Sequence, residues 1–537
     1  MKIIYLYIRT LLNLKFIQFY YLIYYRIFRK VFIPKYSYNQ YKRGIKLNFD
    51  SFIHKPITVR VKSIEFLNQK LFFKSLDDIR WNKKYYGKLW TYNLNYMDYL
   101  NQKSLHINTK KKVLFNYINS FASNKVGHEP YTISLRLVNW IKFISLQRLN
   151  FNNIELKKID TSIFSQMLIL NKNIEYNIQG NHLLENSISL LFISFYFNDF
   201  KLFVKAKKLL LNELNKQILD DGGHFELSVM YHKIILERLL DCINLLSHNK
   251  LFKKQYELEK EIKFKIKLMI SWLKNMTYKN DTYPLFNDSA KNIASSSSKL
   301  INYYNKYFKE SLSKPLTDSG YRRFNSKFYD CIIDIGKIGP KYQMGHSHAD
   351  TFNFDLLLNN KKIISNFGIS TYDENKIRLN EKSTKSKNTV TINNLNSSEI
   401  WSSFRVANSA DIELIKDENN IVSAQHNGFK YIGYKHRRSW LFHEKYLKIY
   451  DKIISSNFLK NLNTEPNIIG NFWFDPNIKI KQKENILFFD YGKIIFKNCK
   501  NINITKKTIP NGFNSSQMTN KVEVSFKSIL ETKIIFK

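Results

Sequence analysis

The chain has 537 residues, of which 44% are hydrophobic and 15% aromatic, so it can bury large cores and is too rich in aromatic residues to be disordered. Its 85 Lys and Arg against 44 Asp and Glu give a formal net charge of +41. Three widely spaced cysteines exclude a disulfide framework and match no zinc motif.

The positive charge has two interpretations. Much of it is Lys spread along the whole chain beside abundant Asn and Ile, which is the composition that an AT-rich genome produces. The other interpretation is a polyanionic partner, which could be nucleic acid, anionic lipid or an acidic polysaccharide. No compact run of Lys and Arg with interleaved aromatic residues is present, so we predict no nucleic-acid partner.

Residues 1–60 are predicted to form an N-terminal amphipathic, helical extension. Polar and basic residues interrupt its apolar and aromatic start, namely Arg9, Lys15, Gln18, Arg26 and Arg29. No stretch approaches the ~18–20 apolar residues of a spanning helix, and no short apolar core precedes a small-residue cleavage site. We therefore expect no transmembrane helix or cleavable signal peptide, and a cytoplasmic or envelope-associated protein. The extension could pack on the body of the protein or contact a membrane surface peripherally.

Residues 61–318 are predicted to be helical. Apolar residues recur at helical spacing in 111–121, 133–147, 183–197, 202–218 and 233–247. The stretch 183–197 is apolar nearly all round, so it should be buried between other helices. Several antiparallel helices of this length predict an α/α toroid, an incomplete barrel of helical hairpins.

Residues 319–537 change to a period of two and are predicted to form a large antiparallel β-sandwich. Strands are expected in 328–336, 352–358, 361–368, 388–394, 486–492, 493–498 and 522–529. Asn359 and Asn360 lie between two of these strands and predict a hairpin turn. The fold class is therefore multidomain α + β, with a helical toroid followed by a sandwich.

The first polar cluster is Gly180-Asn181-His182-Leu183-Leu184-Glu185-Asn186, directly before the apolar stretch. Gly180 and Asn181 are typical of a helix start. His182 and Glu185 are three residues apart and should share a helix face, where the carboxylate can orient the imidazole. The structural alternative is a capping Asn with a core histidine.

The second cluster runs from Asp220 to His232. A turn with acids and glycines is followed by a helix that we expect to open with Glu226 and Ser228, with Tyr231 one to two turns in. A tyrosine beside basic groups can donate or accept a proton. The alternative is a capped helix with a half-buried tyrosine.

The third cluster is Gly345-His346-Ser347-His348-Ala349-Asp350. On a strand, His346, His348 and Asp350 would point the same way because side chains alternate. Two imidazoles and a carboxylate on one face favour metal ligation or substrate contact.

In this order the three clusters resemble the bacterial heparinase II/III-like family of polysaccharide lyases. The most specific stretches are GHSHADTFNFDLLLNNKKIISNFGISTY and RLNEKSTKSKNTVTINNLNSSEIW, with LWTYNLNYMDYL and EPYTISLRLVNWI upstream. The resemblance spans roughly residues 85–450. It implies an α/α toroid followed by an antiparallel β-sandwich, an acidic polysaccharide substrate, and by analogy a periplasmic location.

The resemblance also implies β-elimination on a uronic-acid polysaccharide, in surface-polysaccharide metabolism. Asn181 and His182 would contact the substrate carboxylate, and Glu185 would orient its neighbours. Tyr231 would be the general acid and, for one C5 epimer, also the base, while His346 would be the base for the other epimer. The expected substrate-binding residues are Arg136, Trp90, Tyr92, Tyr96, Trp140, Glu226 and His232.

The residues that correspond to the zinc ligands of some family members are His348, Asn366 and Lys387. An amide oxygen is a poor zinc ligand and a protonated ammonium is none. We therefore predict no cofactor, with Lys387 supplying positive charge itself. If a metal is bound, His348 and Asp350 are the candidate ligands.

Two other functions stay open from the sequence. The fold could be kept by a non-catalytic or hydrolytic polysaccharide-binding protein, since fold does not fix function. Alternatively, the charge could drive binding to a membrane surface or to nucleic acid. The presence of Asn181, His182, Tyr231 and His346 together favours the lyase.

Overall fold

The computed structural model describes residues 2–31, 41–54, 56–60, 62–455 and 465–537. The α-helices in these ranges are α1 (Lys2–Leu12), α2 (Phe16–Val31), α3 (Lys88–Tyr96), α4 (Ile107–Ser120), α5 (Pro130–Gln147), α6 (Asn153–Lys172), α7 (Gly180–Tyr196), α8 (Phe200–Gln217), α9 (Val229–His248), α10 (Gln255–Met276), α11 (Ser297–Tyr304) and α12 (Lys376–Glu381).

The strands in the same ranges are β1 (Val59–Arg60), β2 (Ser63–Phe66), β3 (Gln69–Phe72), β4 (Tyr321–Asn325), β5 (Tyr329–Asp334), β6 (Phe354–Leu358), β7 (Lys361–Ile364), β8 (Val390–Ile392), β9 (Ile400–Ser402), β10 (Arg405–Val406), β11 (Ile412–Glu418), β12 (Ile421–His426), β13 (Tyr434–His443), β14 (Tyr446–Ser455), β15 (Ile468–Trp473), β16 (Ile480–Lys483), β17 (Ile486–Phe489), β18 (Gly492–Pro510) and β19 (Ser516–Phe536).

The helical half packs its helices around one apolar core that extends from Leu47 to Phe308. Every residue of α7 from Leu183 to Tyr196 is buried, as an all-round apolar helix requires. Around this core α7 contacts α5, α8 and α9, and α10 contacts α8 and α9. The predicted helical toroid is confirmed, and it also contains the 22-residue helix α10, which we did not single out from the sequence.

The second half is a β-sandwich, as predicted. A four-stranded sheet of order β4-β5-β6-β7 faces a ten-stranded sheet built on the β18–β19 hairpin, whose strands have 19 and 21 residues. Buried side chains of both sheets, among them Phe354, Trp440 and Val522, share one core. Asn359 and Asn360 join β6 to β7 with φ of 47° and 61°, the left-handed conformation that a tight hairpin turn needs.

The α1–α2 hairpin contacts both halves. On the β side, Trp401 Nε1 donates to Thr10 Oγ1 at 3.0 Å. On the helical side, the rings of Tyr21 and Tyr176 lie 4.7 Å apart. Within the residues described, no helix combines the length and apolar character needed to cross a bilayer.

Candidate active site between the two halves

The start of α7 holds a carboxylate from another segment. Gln179 and Gly180 both have positive φ, 63° and 57°, and a Cβ on Gly180 would lie 2.4 Å from Glu226 Oε1. Glycine therefore allows the close approach of Glu226. The backbone N–H of Asn181 donates to Glu226 Oε1 at 3.2 Å, and its side-chain amide donates to Oε2 at 3.4 Å. The predicted helix start is confirmed, although Asn181 lies inside the helix and does not cap it.

His182 lies beside Asn181 and keeps 30% of its side chain exposed. Its Nδ1 is 3.0 Å from Glu175 Oε1, and its ring packs against that of Tyr131 at a centroid distance of 4.2 Å and an interplanar angle of 33°. Burial disfavours the charged imidazole, but Glu175 and more distant carboxylates outweigh it, so the pKa of His182 is raised.

The expectation that Glu185 orients His182 is corrected by this geometry. Glu185 is fully buried and accepts from Arg238 Nε at 3.2 Å, while Glu175, seven residues before His182, supplies the hydrogen-bonded carboxylate. Glu175 is itself held because Asn186 Nδ2 donates to it at 3.0 Å.

Helix α9 begins later than the sequence suggested. Ser228 is its N-cap and accepts from the Tyr231 backbone N–H at 3.2 Å, which leaves Glu226 outside the helix and places Tyr231 in its first turn. The Tyr231 hydroxyl is 3.0 Å from the hydroxyl of Tyr372, and its ring lies 4.1 Å from that of His346. Burial, and next the neighbouring Tyr372, raise the pKa of Tyr231 well above its ordinary value, so the phenol is protonated at neutral pH.

The His346–Asp350 segment is a turn, so the strand expected there is wrong. Strand β6 begins only at Phe354, and the Asn353 backbone N–H donates to the Asp350 carbonyl at 2.9 Å in a turn with Phe352 at a φ of 67°. Polar partners replace strand pairing in this segment. Lys382 Nζ, for example, donates to the Gly345 carbonyl at 3.2 Å.

Asp288 forms hydrogen bonds with both histidines of this turn. Its Oδ2 is 2.8 Å from His346 Nδ1 and its Oδ1 is 2.8 Å from His348 Nε2. Arg378 donates to both oxygens, to Oδ2 at 2.7 Å. Burial would raise the pKa of Asp288, but Arg378 first and the two imidazoles next hold it well below its ordinary value. A permanent carboxylate therefore orients His346, leaving Nε2 to face Glu226 Oε2 at 3.9 Å.

The residues at the corresponding zinc-ligand positions do not fit a zinc ion. His348 is completely buried, and the Lys387 ammonium donates to its Nδ1 at 2.9 Å while Asp288 lies at Nε2. The amide oxygen of Asn366 accepts from Asn353. Burial lowers the pKa of Lys387 to about 8, which still leaves the ammonium charged at neutral pH. Among the described residues, no group of three or more His, Cys, Asp or Glu is arranged to hold a metal ion.

Four residues expected to bind substrate belong to the interior instead. Arg136 is fully buried and donates to Gln166 and to the carbonyls of Asn95 and Gly127. Trp90 and Trp140 are also fully buried, in the helical core. His232 is a neutral core histidine, because burial lowers its pKa to about 3 and its Nε2 is bonded to the Met269 carbonyl.

The remaining substrate-binding candidates lie near the site. Tyr92, Tyr96 and Tyr131 form a row of rings with centroid distances of 6.2 Å and 6.1 Å, and this row ends on His182. Glu226 lies between Asn181 of the helical half and His346 of the sandwich. Burial raises the pKa of this carboxyl group.

Sequence reasoning missed Asp288, Glu175, Tyr372 and Arg378. Asp288 lies in a polar loop, and Arg378 begins one of the stretches that carry the resemblance. The sequence therefore offered both residues as candidates for a buried ion pair. The sequence did not indicate Glu175 as the partner of His182, because a turn without helical periodicity separates the two residues.

The comparisons with known proteins agree with this architecture. A sequence model of the heparinase II/III N-terminus matches residues 27–313, and one of the heparinase II/III-like C-terminal region matches residues 309–518. The chain therefore belongs to the heparinase II/III-like family.

Two curated relatives are heparin-sulfate lyases. The one from Bacteroides stercoris is 28% identical and the one from Pedobacter heparinus 25% identical, each over an alignment of 311 residues; each alignment covers 52% of this chain and 45% of the relative. The chain thus matches about half the length of these relatives.

Solved structures share the fold. A heparinase III structure has a TM-score of 0.64 and 18% identity, covering 87% of this chain and 82% of its own. The heparan sulfate lyase HepC from Pedobacter heparinus has a TM-score of 0.57 and 17% identity, covering 96% and 87%.

Proposed function

We propose that the protein is a polysaccharide lyase that cleaves a uronic-acid polysaccharide by β-elimination. The observation that carries this proposal is that the rings of Tyr231 and His346 lie 4.1 Å apart between their centroids. Asp288 orients His346, and Asn181 and His182 lie beside the pair. The two heparin-sulfate lyases among the relatives support the same reaction class.

The reaction needs three groups. The C5–H bond breaks, its electrons form a C4–C5 double bond, the C4–O4 bond breaks, and O4 receives a proton, so no water is consumed. The C5 proton is weakly acidic until the C6 carboxylate is neutralised. A base and an acid then handle the two protons.

Asn181 and His182 are suited to neutralising the carboxylate. They lie in the first turn of α7, where the helix dipole favours an anion. The raised pKa of His182 favours its cationic form, and the 30% exposure of its side chain leaves it accessible. The ring row of Tyr92, Tyr96 and Tyr131 would hold the adjoining sugars.

His346 and Tyr231 divide the proton transfers. With Nδ1 bonded to Asp288, His346 presents Nε2 as the base, in the way that a buried carboxylate orients a catalytic imidazole. Tyr231, protonated at neutral pH, donates to O4. For the opposite C5 epimer, Tyr231 would serve as both base and acid.

We propose that no metal takes part. Lys387 places its ammonium 2.9 Å from His348 Nδ1, where it supplies the positive charge behind the His346 turn. The polymer itself would belong to surface-polysaccharide metabolism in the cell envelope.

The test is to incubate the purified protein with a panel of acidic polysaccharides, including those of its own host, and to analyse the products by mass and far-ultraviolet absorbance. Elimination yields an absorbing unsaturated uronate whose mass is one water below that of the hydrolysis product. Products of hydrolytic mass would show a hydrolase, and binding without cleavage of any polymer in the panel would show a non-catalytic protein.

A further inference from the structure

Within the residues that the structure describes, the α1–α2 hairpin has an exposed apolar face. Its other face is attached to the body, because Asn13 Nδ2 donates to the Ala407 carbonyl at 3.0 Å and Gln18 Nε2 to the Tyr342 carbonyl at 3.2 Å. Gln18 is almost completely buried in this contact. The hairpin is therefore fixed in position, and its uncovered side does not result from a detached segment.

The exposed side chains follow helical spacing. In α1 they include Ile4, Ile8 and Leu11, and in α2 they include Phe16, Tyr20, Ile23 and Ile27. The turn between the helices is the most exposed part, with Leu12 at 79% and Phe16 at 84%. We call these exposed apolar and aromatic side chains of the two helices the hairpin face.

The charges carried by the hairpin segment itself have one sign, although Arg9 pairs with Glu399 of the sandwich at 2.9 Å. Residues 1–49 contain ten Lys or Arg and no Asp or Glu, and the first acidic residue is Asp50. Arg26 is exposed on α2 next to Ile27. Apolar side chains with tyrosine rings and flanking cations are the combination that inserts into the interface of an anionic bilayer.

We propose that the hairpin face binds the surface of a membrane containing anionic lipids, with α1 and α2 lying in the interface. A second copy of the chain would meet the same basic surface and be repelled, whereas anionic headgroups complement it. This proposal does not depend on the lyase activity.

The attached face of the α1–α2 hairpin contacts the segment that leads to the candidate active site. Tyr342, which accepts from Gln18 and has Lys15 Nζ 3.5 Å above its ring, precedes His346 by four residues. Docking through the hairpin face would therefore place α1 and α2 between the membrane and the segment that leads to His346.

The experiment is co-sedimentation of the full chain with vesicles of phosphatidylglycerol and phosphatidylcholine, and with phosphatidylcholine alone. We expect binding to the anionic vesicles that weakens with added salt. The double variant Leu12→Glu/Phe16→Glu should bind at least about tenfold more weakly, because it removes apolar insertion and adds repulsion.

The matched control is Leu149→Glu/Ile154→Glu, at positions 95% and 82% exposed and at the opposite end of α6 from Ile174, which contacts α2 through Tyr25. It makes the same charge change and should bind like the parent. If the double variant unfolds in a thermal melt, Arg26→Glu provides the same comparison. Absence of binding to anionic vesicles, equal loss in the control, or a stable dimer that Leu12→Glu/Phe16→Glu dissociates would overturn the proposal.

Discussion

Glu175 determines how His182 can act, although it lies in the segment before α7 and not on the same helix. It lies 3.0 Å from His182 Nδ1 and contributes most, among the neighbouring charges, to raising the pKa of His182. In the proposed reaction the imidazolium neutralises the substrate carboxylate, so activity should fall as pH rises through this raised pKa.

Glu175→Gln is therefore expected to lower the pKa of His182 and to shift the alkaline limb of the kcat/KM profile to lower pH. The measurement is the pH dependence of kcat/KM for both proteins on one cleaved polymer. Glu129→Gln is the control, because Glu129 raises the same pKa less, and its shift should be smaller. An unchanged alkaline limb in Glu175→Gln would remove the His182 cation from the mechanism.

A second prediction at the residue scale concerns the zinc content of the protein and rests on Lys387 and His348. With the Lys387 ammonium against His348 Nδ1, we expect elemental analysis of untagged protein to find well under one zinc per chain. Metal near one equivalent, lost together with stability in His348→Ala, would contradict this. His436, which would be a replacement ligand, is already hydrogen-bonded to His426 and Asp451 in the sandwich.

Individual side chains were the hardest feature to predict. The residue types of Arg136, Trp90 and Trp140 are typical of sugar clefts, but their burial depends on helices distant in sequence. The same limit hid the partners Asp288 and Arg378, which are 90 residues apart. The positions of side chains in contiguous motifs were easier to predict, because Asn181 and His182 lie at a helix start that the local sequence indicates.

At the scale of elements, periodicity was informative wherever the backbone was regular. The all-round apolar stretch at 183–197 became the buried helix α7, and the Asn359–Asn360 pair formed the hairpin turn. The alternation of polar residues at 346–350 was misleading, because the segment satisfies its polar groups through Asp288, Lys387 and Lys382 and not through a neighbouring strand.

Strands β13 and β14 hold the backbone of the segments that follow Asp350 and Lys387. Arg438 forms two hydrogen bonds with Asp451, at 2.7 Å and 2.9 Å, and donates to the carbonyls of Phe352 and Asn388. These carbonyls follow Asp350 and Lys387 closely in the chain. This buried ion pair therefore connects the sandwich to the turn that carries His346.

Arg438→Met should destabilise the fold by roughly 3–5 kcal/mol, because it leaves the Asp451 carboxylate buried without its partner. Chemical denaturation gives the free energy of unfolding. Arg437→Met is the matched control on the opposite, half-buried face of β13 and should change it by less than about 1 kcal/mol. Equal effects of the two substitutions would contradict the role of the buried pair.

The same pair predicts a pH dependence. Burial opposes ionisation of Asp451, but Arg438 and then His436 outweigh it and lower its pKa from 3.8 to about 2. The lowered pKa stabilises the fold above pH 4, and this contribution is lost as pH falls from about 4 to about 2. In Arg438→Met that part of the acid-unfolding curve should flatten, as followed by circular dichroism. A curve parallel to that of the parent protein would argue against the pair.

At the scale of the whole molecule, the candidate site exists only because the two halves meet. Asn181, His182 and Tyr231 come from the start of two toroid helices, whereas His346 comes from the sandwich. The order of the motifs in the sequence predicted a site between the two halves. Glu226 contacts Asn181 on one side and His346 on the other. The α1–α2 hairpin contacts both halves.

The most direct test measures the rate at which unsaturated uronate forms, by far-ultraviolet absorbance, for the parent protein, Tyr231→Phe and Tyr342→Phe. The last variant also loses one phenol oxygen, four residues before His346 in the chain, but none of the proposed reacting groups. We predict that Tyr231→Phe keeps its thermal stability and loses roughly 10²–10⁴-fold in rate, while Tyr342→Phe stays near the parent. Near-normal turnover by Tyr231→Phe on a polymer that the parent cleaves would contradict the proposed site.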